Sequence, residues 1–160
     1  MPKIERRQLT ITAASTDGHT FRGTAVPYGQ LSHVLEDRAR PYRERFKRGS
    51  IKHDASTVLI YGHELGAVPL GRVGSGTLRF GETDAGLQFE ADLPEARADI
   101  VQALERGDLD GSVSIGFIAD ADTWNNRTTP AVRTVQAATL VELSIVNRGA
   151  YASAKGNLQQ

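Results

Sequence analysis

The chain has no cysteine, one methionine, one tryptophan and no excess of either charge. Without cysteine there is no disulfide framework, no thiolate-ligated zinc site and no thiol nucleophile, and this usage fits a reducing compartment. The 19 lysines and arginines are balanced by 19 aspartates and glutamates. The global positive field that draws phosphates to a nucleic-acid binder is therefore missing, and nucleic acid is not expected as a partner. Long apolar runs are missing as well. "MPKIERRQLTITAAS" carries early charge but no continuous apolar segment of secretory-signal length, and no later stretch approaches a membrane span. No membrane contact is expected, and the chain is expected in the cytoplasm. Its 160 residues can bury a substantial core and are expected to form one domain over 1–160.

What is present is mostly strand signal. "QLTITAAS" alternates and "TFRGTAVPYG" continues after Asp17-Gly18, which predicts an opening hairpin. "HVLEDRARPYRERFKRGSI" is dense in mixed charge with a central proline, which predicts an exposed loop over about 32–50 and a short helical turn near Gly49 to His53. "STVLIY" is a short β-branched apolar strand, and "GRVGSGTLRFGETDAGLQFEADL" reads as a hairpin turning near Glu82 to Gly86. A helix is predicted from about Pro94 to Arg106, with Ile100, Val101 and Leu104 on one face and Gly107 as its stop. "GSVSIGFIAD", "AVRTVQ" and "ATLVELSIV" supply three more strands, with "TWNNRTT" as a turn. Residues from about 152 to 160 read as a short flexible tail. The fold class is mainly β with a few helices (α+β). About seven strands suggest a closed or nearly closed β-barrel, since closure removes exposed edges.

Four histidines differ in setting. His19 falls in a tight turn, and His33 and His53 fall in or beside the charged segment, so all three read as surface residues. His63 follows the apolar strand "STVLIY", where packing can hold the ring while one nitrogen faces a cleft, as a general base requires. A purely structural role is the alternative. "HE" at 63–64 lacks the second histidine of a zinc-protease helix, and "KHD" at Lys52 to Asp54 is no better as a metal site. Ser112 and Ser114 in "GSVSIGF" share one strand face, while Gly116 leaves room for a substrate backbone or another strand. Glu142 interrupts the apolar strand "TLVELSIV", where a carboxylate needs a partner. His63 would be one such partner and an arginine would be another.

In order, "GTAVPYG", "YRERFKRGSI", "VLIYGHELGAVPLGRV", "SVSIGF" and "LVELSIVNRGAY" resemble the prohead maturation protease family of tailed bacteriophages, which is similar in fold to the herpesvirus assemblin serine proteases. The resemblance spans about Gly23 to Tyr151. It implies a herpesvirus-protease-like barrel and a serine endopeptidase, without a cofactor, that removes scaffolding segments from capsid proteins and often cuts itself. It implies Ser114 as nucleophile, His63 as general base and Glu142 as the orienting acid. Oxyanion donors are expected among the backbone N–H groups near Gly71 to Arg72 or Arg148 to Gly149. The implied partners are the major capsid protein's scaffolding segment and other prohead proteins, with a homodimer suggested by the herpesvirus relatives. The implied location is the host cytoplasm, inside the immature capsid. One departure is the loop after Ile145, where the family carries proline and alanine and this chain has Asn147, Arg148, Gly149 and Ala150. It keeps a non-catalytic capsid-assembly barrel as the alternative function.

Overall fold

The computed structural model describes residues 1–8, 15–37 and 40–147. In chain order the strands are β1 (Glu5–Gln8), β2 (Ser15–Asp17), β3 (Thr20–Pro27), β4 (Leu35–Glu36), β5 (Pro41–Phe46), β6 (Ile51–Lys52), β7 (Val58–Tyr61), β8 (Gly71–Arg72), β9 (Leu78–Glu82) and β10 (Gly86–Asp92). The helix α1 (Ala98–Arg106) follows, then β11 (Val113–Asn125) and β12 (Ala131–Ile145). The protein is thus mainly β with little helix, an α+β arrangement. No helix among the described residues is long and apolar enough to cross a membrane.

Strand β12 organises the larger sheet, whose order is β1-β11-β12-β5-β4. One edge of β12 pairs antiparallel with β11. The other runs parallel to three short strands in succession: Ala131 to Val135 with β5, Ala138 and Thr139 with β6, and Glu142 to Ile145 with β7. Thr57, fully buried, donates its hydroxyl to the Leu140 carbonyl at 3.1 Å, which pins the start of β7 to the same strand. This succession carries the chain beyond β7, including His63, to the C-terminal end of β12.

The smaller sheet has the order β2-β3-β10-β9. Its Phe21, Val26, Leu87 and Phe89 join Ile115, Phe117, Leu140 and Leu143 of the larger sheet in one apolar core, and Ile100 and Val101 of α1 add to it. Full burial of such side chains contributes about 1.5–3 kcal/mol each. Neither sheet closes on itself among the described residues, in contrast to the expected barrel of about seven strands. The sheets meet instead at a parallel bridge between Tyr28 and Phe46, where the Gly29 N–H donates to the Phe46 carbonyl at 2.9 Å.

Local expectations fare unevenly. The hairpin β9/β10, strand β7 and the helix ending at Gly107 (φ 80°) are present, with the helix preceded by a 3-10 turn over Glu95–Arg97. β2 pairs with β3 across Asp17-Gly18 as expected, while the strand expected over "QLTITAAS" falls mostly on residues 9–14, which lie outside the described residues. Strand β1, however, joins the other sheet beside β11. The segment expected as an exposed loop over 32–50 contains β5, whose Tyr42, Glu44 and Phe46 are buried in alternation. Charge was a poor guide there because Glu44 is neutralised by distant cations: Arg7 Nε donates to it at 2.9 Å and Arg133 Nη1 at 3.0 Å. The expected helical turn near Gly49 to His53 is a turn leading into β6, which pairs with β12. "AVRTVQ" and "ATLVELSIV" form the single strand β12, and Trp124 and Asn125, expected in a turn, belong to β11. The expected tail over 152–160 lies outside the described residues.

Candidate active site

Strand β7 ends at Tyr61, and the next two residues both take left-handed backbone, Gly62 at φ 62° and His63 at φ 63°. Glycine adopts this conformation freely, whereas histidine does so at a cost of about 1–3 kcal/mol unless its surroundings hold it. Two bonds to β12 hold it. The Gly62 N–H donates to the Ile145 carbonyl at 2.9 Å, and the His63 N–H donates to Ser144 Oγ at 3.0 Å. The turn reverses the chain and places the imidazole against the inner part of β12 with 11% of its side chain exposed. Beyond it the loop exposes Leu65 and Val68.

Glu142 is fully buried, yet both of its carboxyl oxygens have donors. His63 Nδ1 lies 2.5 Å from Oε1, and Ser144 Oγ donates to Oε2 at 2.8 Å. Arg6 Nε stands farther off, 3.7 Å from Oε1. The two partners foreseen for this carboxyl, a histidine and an arginine, are therefore both present, with the histidine in direct contact. With Nδ1 facing the carboxyl, the tautomer that donates this hydrogen bond is the one whose Nε2 carries the free lone pair.

Gly116 makes room for this carboxyl. It is the register partner of Glu142, and a Cβ at Gly116 would lie 2.5 Å from Glu142 Oε1 and 2.8 Å from its Cγ. The space at Gly116 expected to admit a substrate backbone or another strand is thus filled by the side chain of Glu142. Two residues earlier on the same face is Ser114, paired in register with Ser144 on β12 and Gln8 on β1. Ser114 is 3% exposed. Among the described residues its hydroxyl has no hydrogen-bond partner. Ser112, just before β11, is also buried, and its backbone is engaged with Asp110 Oδ1 at 2.9 Å and with the Val146 N–H at 3.1 Å.

The structure therefore joins His63 directly to Glu142 and sets Ser114 one alternate position along the same patch of sheet. It does not bring in the other histidines: His19 and His33 are exposed, and the exposed His53 stacks against Phe80 with centroids 4.7 Å apart. The Arg72 N–H, one expected oxyanion donor, already donates to Thr77 Oγ1 at 2.9 Å. Arg148 and Gly149 lie outside the described residues. Sequence reasoning overlooked Ser144, although the E-x-S spacing on a strand puts it on the face of Glu142.

No curated protein and no solved structure matches the chain. A family model described as caudovirus prohead serine protease matches it over residues 3–160. A match of that extent, on a β-rich chain in which an imidazole and a buried carboxyl meet beside a strand serine, places this protein in the caudovirus prohead serine protease family.

Proposed function

We propose that the chain is a serine endopeptidase of the immature phage capsid, cutting the scaffolding segment of the major capsid protein and also itself. Ser114 is the nucleophile, His63 the general base and Glu142 the orienting acid. The observation that carries this reading is the 2.5 Å contact between His63 Nδ1 and Glu142 Oε1, made on the sheet face that also carries Ser114, whose register partner Ser144 lies two residues along β12 from Glu142. A carboxylate held there fixes the imidazole tautomer and stabilises the imidazolium formed during reaction. Nε2 then takes the proton from Ser114 Oγ as that oxygen attacks the scissile carbonyl, and returns it to the leaving amine. The bond from serine to carbonyl carbon forms as the carbonyl π bond opens. Collapse of that intermediate expels the amine, and water later releases the acyl group.

The loop from Glu64 to Leu70, with Leu65 and Val68 exposed, forms one wall of the peptide groove in this reading. The two sheets, seamed at Tyr28 and Phe46, correspond to an incompletely closed version of the herpesvirus-protease-like barrel. The working partners are the capsid protein and other prohead proteins.

The test is co-expression of the full chain with its capsid protein, followed by intact mass of both. Ser114→Ala is expected to abolish cleavage while keeping the circular dichroism spectrum, and Ser112→Ala to cleave as the parent does. Cleavage that survives in Ser114→Ala removes the assigned nucleophile. No cleavage by the parent chain, in capsids that assemble, favours the non-catalytic assembly role.

A further inference from the structure

The hydroxyl of Ser144 sits between the two groups that the proposed chemistry needs to hold together. It is fully buried. A backbone N–H can only donate, so the 3.0 Å contact from the His63 amide uses a lone pair of Ser144 Oγ. The hydroxyl proton is then free to go to Glu142 Oε2, 2.8 Å away. One oxygen thus fixes the backbone that carries the imidazole and the carboxyl that orients it, and the 2.5 Å bond between Nδ1 and Oε1 closes the ring of contacts.

We infer that Ser144 is a positioning residue for the His63–Glu142 pair, acting through one hydroxyl that accepts from the His63 amide and donates to the Glu142 carboxyl. This rests on reading those two residues as a base and its orienting acid. Each anchored group has a support of its own, the Gly62 N–H to Ile145 carbonyl bond at 2.9 Å beside His63 and the close fit over Gly116 around Glu142, but among the described residues the Ser144 hydroxyl is what ties the His63 backbone to the Glu142 carboxyl. Ser144 stands opposite Ser114 in register, but its proton goes to Glu142 and a lone pair to the His63 amide, so in this role it acts through that pair. Its effect is on how often the imidazole is aligned for proton transfer, which affects turnover and leaves substrate binding alone.

The experiment uses the full 15N-labelled chain and its Ser144→Ala variant. The His63 Nδ1 proton, identified by its disappearance in His63→Gln, should resonate far downfield in the parent because its hydrogen bond is short. In folded Ser144→Ala this signal is expected to shift upfield or vanish through faster exchange. On a capsid-derived peptide, kcat should fall about 10- to 100-fold with KM nearly unchanged. A merely structural serine would lower stability and leave the proton signal of the folded variant in place, and that result overturns the role whatever the activity. Loss of the signal in a protein whose parent form cleaves nothing would uphold the positioning of His63 by Ser144 and remove the protease reading instead. Hydrogen exchange of the parent chain gives a check that does not depend on the variant folding. The His63 amide is expected to exchange well below its unprotected rate, and exchange at the unprotected rate overturns the inference.

Discussion

At the scale of the residue, two positions on facing strands decide whether the buried carboxyl can stay where it is. Gly116→Ala would set a methyl group 2.5 Å from Glu142 Oε1 and 2.9 Å from its Cδ, and the carboxyl cannot move without leaving its donors. Overpacking of this kind costs about 1–3 kcal/mol. Urea unfolding should report that loss, and cleavage should fall with it. Glu142→Gln tests the electrostatics at constant shape. Two donors now meet two carboxyl oxygens, whereas an amide offers one oxygen and one NH2 group, so either His63 or Ser144 would face a donor. The expected result is a folded protein with kcat lower by about 10⁴-fold in the cleavage assay, and near-parental turnover would remove the orienting role. Much of this site was legible in the sequence. His63 stands out because it follows an apolar strand and Glu142 because a charge inside an apolar strand demands a partner, whereas "GSVSIGF" alone offers Ser112 and Ser114 alike and the resemblance to the prohead protease family is what points to Ser114. What was hidden was the use of the space at Gly116, since nothing local to "SIGF" says which side chain from residue 142 will lie over it.

At the scale of the element, β1 is attached by ion pairs as much as by its ladder. Arg7 of β1 donates to Glu44 Oε1 of β5 at 2.9 Å and Arg133 of β12 to Glu5 Oε2 of β1 at 2.7 Å, while Arg7 to Glu5 Oε2 within β1 and Arg133 to Asp122 Oδ2 of β11, both at 2.7 Å, complete the cluster. Glu44 is 2% exposed, so removing a cation leaves charge buried without its full complement. Arg133→Ala is expected to lower stability by about 3–5 kcal/mol, measured by urea unfolding. The same cluster predicts a pH effect. Burial pushes the Glu5 carboxyl up, but hydrogen bonds and charge from Arg133 and Arg7 outweigh it and hold the group below its ordinary value of 4.5. The stability it contributes is therefore present above pH 4.5 and is lost as pH falls through the lower folded value. Protection of β1 amides from hydrogen exchange, referred to the intrinsic rate at each pH, should fall over that acid interval, and more than in β10. Strand β5 shows why such elements escape a reading by composition. "PYRERF" alternates properly, but its inward Glu44 is matched by residues 37 and 89 positions away. By contrast β7, the β9/β10 hairpin and α1 carry their own signals: an apolar run, a glycine-bounded turn and an apolar stripe.

At the scale of the whole molecule, both sheets and the helix feed one core, which predicts a single unfolding transition. The lone tryptophan, Trp124, belongs to β11 of the larger sheet, so its fluorescence follows that sheet while far-ultraviolet circular dichroism follows both. Coincident urea midpoints are expected from the two probes, and separated midpoints would divide the molecule into independent parts. The course of β12 has a further consequence for timing. It is the strand on which β5, β6 and β7 align, and it supplies Glu142 and Ser144, while β11 supplies Ser114. A nascent chain that has left the ribosome only as far as Gly111 carries His63 with nothing to set it against. Whatever chemistry the site performs is withheld until β12 has emerged and docked, so neighbouring polypeptides in the same polysome are spared up to that point.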